Sequence, residues 1–119
     1  MRYTLVGPIK PYVHRTHRGK YSDRADAYHA SQNVIRWQLK QQMRDAGVDI
    51  IPKGVPLRLR IDVTVPSSMG HRCDCTNLQK GIEDAAQGVV FENDCWVDDI
   101  RTTRSIGAAW RAVLEVEEL

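Results

Sequence analysis

Residues 71–84 read HRCDCTNLQKGIED and concentrate side chains that can do chemistry. The stretch supplies an imidazole, two thiols, three carboxylates and one ammonium group. Thiolates and imidazole bind zinc, whereas carboxylates bind Mg²⁺ and a nearby ammonium group stabilises a phosphate. Three interpretations follow from these residue types: a zinc site, a carboxylate–metal site, or a capped surface helix with i,i+4 ion pairs.

The zinc interpretation uses His71, Cys73, Cys75 and the more distant Cys95. The H-x-C-x-C spacing differs from the paired C-x-x-C knuckles of structural zinc sites. If residues 71–75 are extended, both of their cysteines point to one face and are expected to lie in the core, as free cysteines commonly do. A small zinc-binding adaptor remains the less favoured alternative.

The carboxylate interpretation uses Asp74, Asp84 and Asp94, with Lys80 one helical turn before Asp84. These acids can hold Mg²⁺ through oxygen ligands, and Lys80 adds a cation for a phosphate. The N-terminus of a helix that starts after Asp74 would also attract anions. On spacing alone, a surface helix with an i,i+4 pair is the commoner explanation.

Two helices and an alternating strand are predicted to position these residues. Apolar residues recur at helical spacing over Asp23–Ala46, with Ser22 as N-cap, Gly47 as the C-terminal stop and Trp37 on the buried face. Period-two alternation over Leu57–Val65 predicts a half-buried strand.

The second helix is predicted to follow a capping box with Thr76 as N-cap and Gln79 at the third helical position, and to end at Gly88. A short strand is predicted over residues 1–6, and residues 89–104 and 109–117 are each predicted to contain one more. The resulting order of strand, helix, strand, helix, strand and strand predicts one α/β (α+β) domain over residues 1–119, with a mixed sheet and two main helices.

Bulk properties narrow the class of protein. The 119 residues include 42% hydrophobic residues, enough for one core, and no apolar run approaches the roughly 20 residues that span a bilayer. Residues 1–24 carry a net +5, whereas the remainder carries −3 of the overall +2. A basic arm suggests an anionic partner, although a solvated loop has the same composition. With no signal-peptide pattern and three cysteines, we expect a cytoplasmic protein without a membrane partner.

The run DCTNLQKGIEDA, residues 74–85, followed by Asp94, resembles the RusA-like Holliday junction resolvases. These crossover junction endodeoxyribonucleases share D-x-D-N-x-x-K-x-x-x-D-A, then a Gly, then a D-D pair before a strand. The basic arm, the long helix and Arg104 extend the likeness across the chain. The resemblance implies a RusA-like fold and a Mg²⁺-dependent endonuclease, with Mn²⁺ able to substitute, that resolves branched DNA by paired symmetric nicks in recombination and repair.

Roles are implied by position in this pattern. Asp74 and Asp94 match metal-binding carboxylates, and Lys80 matches the catalytic lysine. Asn77 matches the motif asparagine, and Asp84 matches the later motif acid.

Two positions depart from the pattern: Thr76 replaces a second metal-binding Asp, and Asn93 replaces the first acid of the D-D pair. A threonine hydroxyl still caps a helix but is only a weak metal ligand. We hypothesise that Glu83 restores the missing carboxylate. The alternative is that Glu83 forms only an i,i+3 salt bridge with Lys80.

The resemblance also implies partners. A four-way junction has approximate two-fold symmetry, which suits a C₂ homodimer with two equivalent sites. Family members are often encoded by phages, so the cytoplasm of a bacterial or phage-infected cell is expected, with no small-molecule cofactor. A non-catalytic branched-DNA-binding protein of the same fold is the alternative function. The candidate DNA contacts are Lys10, Arg15, Arg18, Lys20 and Arg104.

Overall fold

A computed structural model of the chain describes residues 1–10, 23–69 and 73–119. The predicted order of elements is confirmed, and a 3₁₀ turn at Asp94–Trp96 precedes the third strand. The elements are β1 (Arg2–Val6), α1 (Asp23–Ala46), β2 (Leu57–Pro66), α2 (Cys75–Ala86), β3 (Val97–Gly107) and β4 (Arg111–Glu118).

The four strands form one mixed sheet in the order β1-β4-β2-β3. Strands β2 and β3 are parallel, whereas β4 pairs antiparallel with both β1 and β2. Parallel strands need a crossover connection, and α2 supplies it between β2 and β3. The chain is therefore a single compact α+β domain, as the sequence predicts. No helix in the described ranges is long and apolar enough to cross a membrane.

One face of the sheet forms the core with both helices. The predicted alternation of β2 is confirmed, because its apolar residues are buried while Arg58 and Arg60 lie on the opposite face. The side chains that α1 and α2 bury against this face include Ile35, Leu39, Met43, Leu78, Ile82 and Ala85.

Helix α1 has the predicted bounds, and Gly47 ends it with a positive φ of 65° that suits glycine. Ser22, the predicted N-cap, lies outside the described residues. The prediction for Trp37 is wrong, because its side chain is 66% exposed. Trp37 is two residues from both Ile35 and Leu39, so the 3.6-residue repeat turns it to the far side of the helix.

Helix α1 also covers the outer edge of β1. Gln38 and Gln42 each use their side-chain amide like a strand backbone, accepting from the N–H groups of Val6 and Thr4 and donating to their carbonyl oxygens, at 2.7–2.9 Å. These bonds occupy backbone groups that an edge strand would otherwise leave open to pairing with another chain.

The start of α2 differs from the prediction. Asp74 is the N-cap, and its Oδ1 accepts from the backbone N–H groups of Thr76 at 2.7 Å and Asn77 at 3.4 Å. The predicted capping box is therefore wrong, and Gln79 instead accepts a hydrogen bond from Thr102 Oγ1 at 2.8 Å. The expectation that Cys73 and Cys75 point to the same face of an extended segment is also wrong, because Cys75 is already helical.

The third and fourth strands lie in the parts of the chain where the sequence predicts them. Residues 89–91 fold back on the end of α2, where the Val90 N–H donates to the carbonyl of Ala86 at 2.8 Å. The 3₁₀ turn then intervenes before β3 starts at Val97. The turn places Asp94 beside the end of α2 and directly before β3.

Candidate active site

Glu83 and Asp94 form a pair of carboxyl groups within hydrogen-bonding reach of each other. Glu83 lies on α2 and is half-buried, whereas Asp94 opens the 3₁₀ turn. Gln87, the C-cap of α2, fixes the position of Asp94 by accepting its backbone N–H at 3.0 Å. The fold therefore brings two acids that are eleven residues apart to one place.

The electrostatics of this pair disfavour two negative charges. Partial burial raises the pKa of Glu83, and repulsion by Asp94 raises it further. Attraction by Lys80 opposes these effects, while Asp84 and a hydrogen bond to Asp94 act with them. A divalent cation would remove the repulsion, and Mg²⁺ is commonly held by one or two carboxylates plus water and phosphate. The residues therefore fit such an ion.

Around the axis of α2, Lys80 lies between Glu83 on one side and Asp84 on the other. Its Nζ forms an i,i+4 ion pair with Asp84 Oδ1 at 3.3 Å, and Glu83 attracts it electrostatically from the other side. Electrostatic attraction to Lys80 is therefore not the whole role of Glu83, whose carboxyl group also meets Asp94. This arrangement places a cation next to the acid pair.

Asp74 occupies the opposite end of α2 from Asp94. Its carboxylate caps the helix, and the rise of 1.5 Å per residue separates its backbone from that of Glu83 by about 14 Å. The structure thus brings Lys80, Glu83 and Asp94 together and leaves Asp74 at the N-terminus of the helix.

Arg104, a predicted DNA contact, reaches the segment that carries Asp74. Its Nη1 donates a hydrogen bond to the backbone carbonyl of Cys73, the residue directly before Asp74. Arg104 is half-buried near the end of β3. It therefore helps to fix the start of α2, whatever contact it makes with DNA.

Lys10 is the one predicted arm residue that the structure describes. Its N–H donates to Ser31 Oγ at 3.3 Å, and its carbonyl oxygen lies 3.5 Å from the position that a Cβ on Gly81 would occupy. The start of the arm therefore passes beside α2 one residue from Lys80. Arg15, Arg18 and Lys20 lie outside the described residues.

The three cysteines are free and differ in environment. Cys73 is buried, Cys95 is exposed, and the Cys75 thiol donates to the carbonyl of Thr102 at 3.5 Å. Within residues 1–10, 23–69 and 73–119, no group of three His, Cys, Asp or Glu side chains could hold a metal ion. His71, the fourth zinc ligand considered, lies outside these ranges.

Comparison with known families decides the identity of the fold. The family model described as endodeoxyribonuclease RusA matches residues 4–117, nearly the whole chain. The chain belongs to the RusA family. RusA proteins are endodeoxyribonucleases that act on branched DNA junctions, so the resemblance in the sequence is confirmed at the level of family and enzyme class. No curated protein matches the chain.

The two departures from the RusA pattern have structural explanations. Asn93 caps the 3₁₀ turn by accepting the Cys95 N–H on its side-chain oxygen at 2.9 Å, a role that Asp and Asn perform equally well. Thr76 is exposed in the first turn of α2, where its backbone N–H binds the Asp74 cap. Both residues are compatible with the caps that start these two helical segments.

Residues on α1 that the sequence pattern did not indicate contact the RusA motif. Tyr28 Oη donates to Asp84 Oδ2 at 3.2 Å, and Arg36 donates to the Asp84 carbonyl at 3.3 Å. Gln32, 5% exposed, donates to Tyr28 Oη at 2.6 Å. The available signal was the polar Gln32 within the buried stripe of α1, because a buried amide needs partners.

A groove of about 630 Å³ lies at another part of the molecule. Its walls include Arg58 and Arg60, which already bond to Asp99 at 2.8 and 3.3 Å. None of the candidate RusA site residues lines it. The pair formed by Glu83 on α2 and Asp94 in the 3₁₀ turn is therefore the better candidate for the active site.

Proposed function

We propose that this chain is a Mg²⁺-dependent endodeoxyribonuclease that resolves Holliday junctions and other branched DNA by paired nicks, in recombination and repair. The observation that carries the proposal is the Glu83–Asp94 pair beside Lys80, in a chain of the RusA family. The same observation supports the hypothesis that Glu83 supplies the carboxylate that Thr76 lacks.

Glu83 and Asp94 would hold the metal ion. Asp74, and Thr76 as a weak ligand, lie towards the other end of α2, so they would join a site with Asp94 only from the second chain of a homodimer. Bound Mg²⁺ would polarise the phosphate and lower the pKa of a water nucleophile. Lys80 would neutralise the charge that develops on the phosphate or on the leaving oxygen. Asp84 holds the Lys80 ammonium group at 3.3 Å and so limits where that charge can move.

DNA binding is proposed to follow from the position of the arm. Lys10 passes beside Gly81 of α2, the residue after Lys80, so the basic arm begins next to this helix. Cations in such an arm would bind phosphates without reading sequence, and the affinity would fall as salt rises. Arg104 would add a contact near the N-terminus of α2.

A homodimer is proposed because the substrate needs two cuts. Two symmetric nicks in opposed strands require two equivalent active sites, which a C₂ pair of chains provides. Asn77 and Asp84 would support the site from α2, Asp84 by anchoring Lys80.

The test is cleavage of a synthetic four-way junction over a range of Mg²⁺ concentrations. Wild type should release paired nicked products, and Lys80→Ala should bind the junction but cut it poorly. Glu83→Gln should need at least about 10- to 100-fold more Mg²⁺, because loss of even a group that only orients a metal ligand weakens binding by that factor. Glu92→Gln is the matched control, because Glu92 is an exposed acid that accepts only the Lys53 N–H among the described contacts.

Two outcomes would reject parts of the proposal. Wild-type Mg²⁺ dependence in Glu83→Gln would remove Glu83 from the metal site. Junction binding by wild type without any cleavage, in Mg²⁺ or Mn²⁺, would favour the non-catalytic junction-binding protein.

A further inference from the structure

A series of hydrogen bonds connects the buried side of α1 to Lys80. Gln32 Nε2 donates to Tyr28 Oη at 2.6 Å, and Tyr28 Oη donates to Asp84 Oδ2 at 3.2 Å. The other oxygen of Asp84, Oδ1, accepts Lys80 Nζ at 3.3 Å. Three links therefore lead from a side chain that is 5% exposed to an ammonium group at the surface.

The direction of each bond is set by the donors and acceptors available. The Gln32 amide nitrogen can only donate, so Tyr28 accepts there and directs its single proton to Asp84. Arg36 holds both Gln32 and Asp84 in place, because it donates to Gln32 Oε1 and to the Asp84 carbonyl, both at 3.3 Å. Asp84 is thereby held on one oxygen, which leaves the other for Lys80.

A fixed acceptor matters because a lysine side chain has many rotamers. Lys80 is exposed, and its ammonium group would otherwise sample a wide volume. If no other residue held the Asp84 carboxylate, it would move together with the Lys80 ammonium group. Asp84 is instead anchored to a second helix, so the charge of Lys80 stays beside Glu83 and Asp94.

We propose that Tyr28 and Gln32 are positioning residues for Lys80, acting through Asp84 to hold the ammonium group where it meets the scissile phosphate. The inference rests on the proposed function, since it takes Lys80 as the group that acts on the phosphate. It assigns to α1 a part in catalysis in addition to its packing in the core.

Tyr28→Phe tests the inference, because it removes one hydroxyl and keeps the ring in place. We expect kcat for junction cleavage to fall roughly tenfold, the effect of losing one hydrogen bond, with KM within about twofold of wild type. Tyr3→Phe is the matched control, since Tyr3 is a buried tyrosine on β1, 2% exposed, that loses the same hydroxyl. An unchanged kcat in Tyr28→Phe would overturn the inference.

A double-variant comparison separates positioning from packing. In a Lys80→Ala background, Tyr28→Phe should have no further effect on the residual cleavage, because the group that it positions is absent. A general weakening of α1 against α2 would lower cleavage by the same factor with and without Lys80, and that result would also overturn the inference.

A third measurement needs no cleavage. NMR of the free protein with labelled lysine reports the Lys80 ammonium group, assigned by its loss in Lys80→Arg. We expect its signal to shift in Tyr28→Phe and in Gln32→Leu but not in Tyr3→Phe; no shift in Tyr28→Phe would refute the contact. If wild type fails to cut junctions while the shift occurs, the proposed function fails and the contact stands.

Discussion

Glu83 carries a carboxyl group whose ionised form the fold disfavours, because burial and Asp94 both raise its pKa. The folded state therefore binds this proton more tightly than the unfolded state. The contribution of Glu83 to stability is therefore greatest below its ordinary pKa of 4.5 and is lost as the pH rises through its folded-state pKa. Without divalent ions, we expect Glu83→Gln at pH 7 to unfold at a temperature higher than wild type by roughly a few degrees.

Thermal unfolding in EDTA across a pH series checks this prediction. The advantage of Glu83→Gln should shrink below pH 4.5, where the wild-type side chain is protonated as well. Added Mg²⁺ should stabilise wild type more than the variant, because it binds the folded acid pair. Glu92→Gln serves as the control and should change little; an advantage of Glu83→Gln that is equal at every pH would refute the explanation.

At the scale of residues, the sequence predicts chemistry better than contacts. The helical repeat of α2 placed Glu83 and Asp84 on either side of Lys80, and the structure has this arrangement. The position of Asp94 depends on the 3₁₀ turn and on the hydrogen bond from its N–H to Gln87, neither of which the sequence pattern indicates. Trp37 could not be placed by composition, because a tryptophan can lie on either face of an amphipathic helix.

At the scale of elements, α1 and β2 were predicted closely because each has a long and regular pattern. The start of α2 was not, since Asp74 and Thr76 are both competent caps and lie two residues apart. Two contacts with β3 accompany the start of α2 after Asp74 rather than after Thr76. Arg104 donates to the carbonyl of Cys73, and the Cys75 thiol donates to the carbonyl of Thr102. Local sequence does not contain these contacts.

Two substitutions of Asp74 can separate its role as a helix cap from a role in metal binding. Asp74→Ala should lower the free energy of unfolding by about 1 kcal/mol, the usual loss on removing an N-cap. Asp74→Asn keeps a capping oxygen and should cost only a few tenths of a kcal/mol, while it removes the charge that a metal needs. Urea denaturation measures both changes.

Thr76→Ala provides the control for that comparison, because Thr76 contributes its backbone N–H to the cap and alanine retains it. It should be as stable as wild type within about 0.5 kcal/mol. If Thr76→Ala cost as much as Asp74→Ala, the capping box read from the sequence would have to be reinstated.

At the scale of the whole molecule, α2 keeps Asp74 away from the acid pair. Its N-cap and the turn carrying Asp94 lie at opposite ends of a helix of 12 residues, about 18 Å long. A site that needed Asp74 together with Asp94 would therefore draw them from two chains rather than one. The proposed homodimer offers such a site at each of its two symmetric positions.

Mixed dimers of Asp74→Asn and Asp94→Asn chains, carrying different tags, test this arrangement. If each site takes one acid from each chain, the mixed dimer contains one intact site and one doubly substituted site. We therefore expect it to regain nicking of a single junction strand, while either parent dimer stays inactive. Sites contained within one chain would leave both positions damaged in the mixed dimer, so continued inactivity there, with junction binding intact, would refute the shared site.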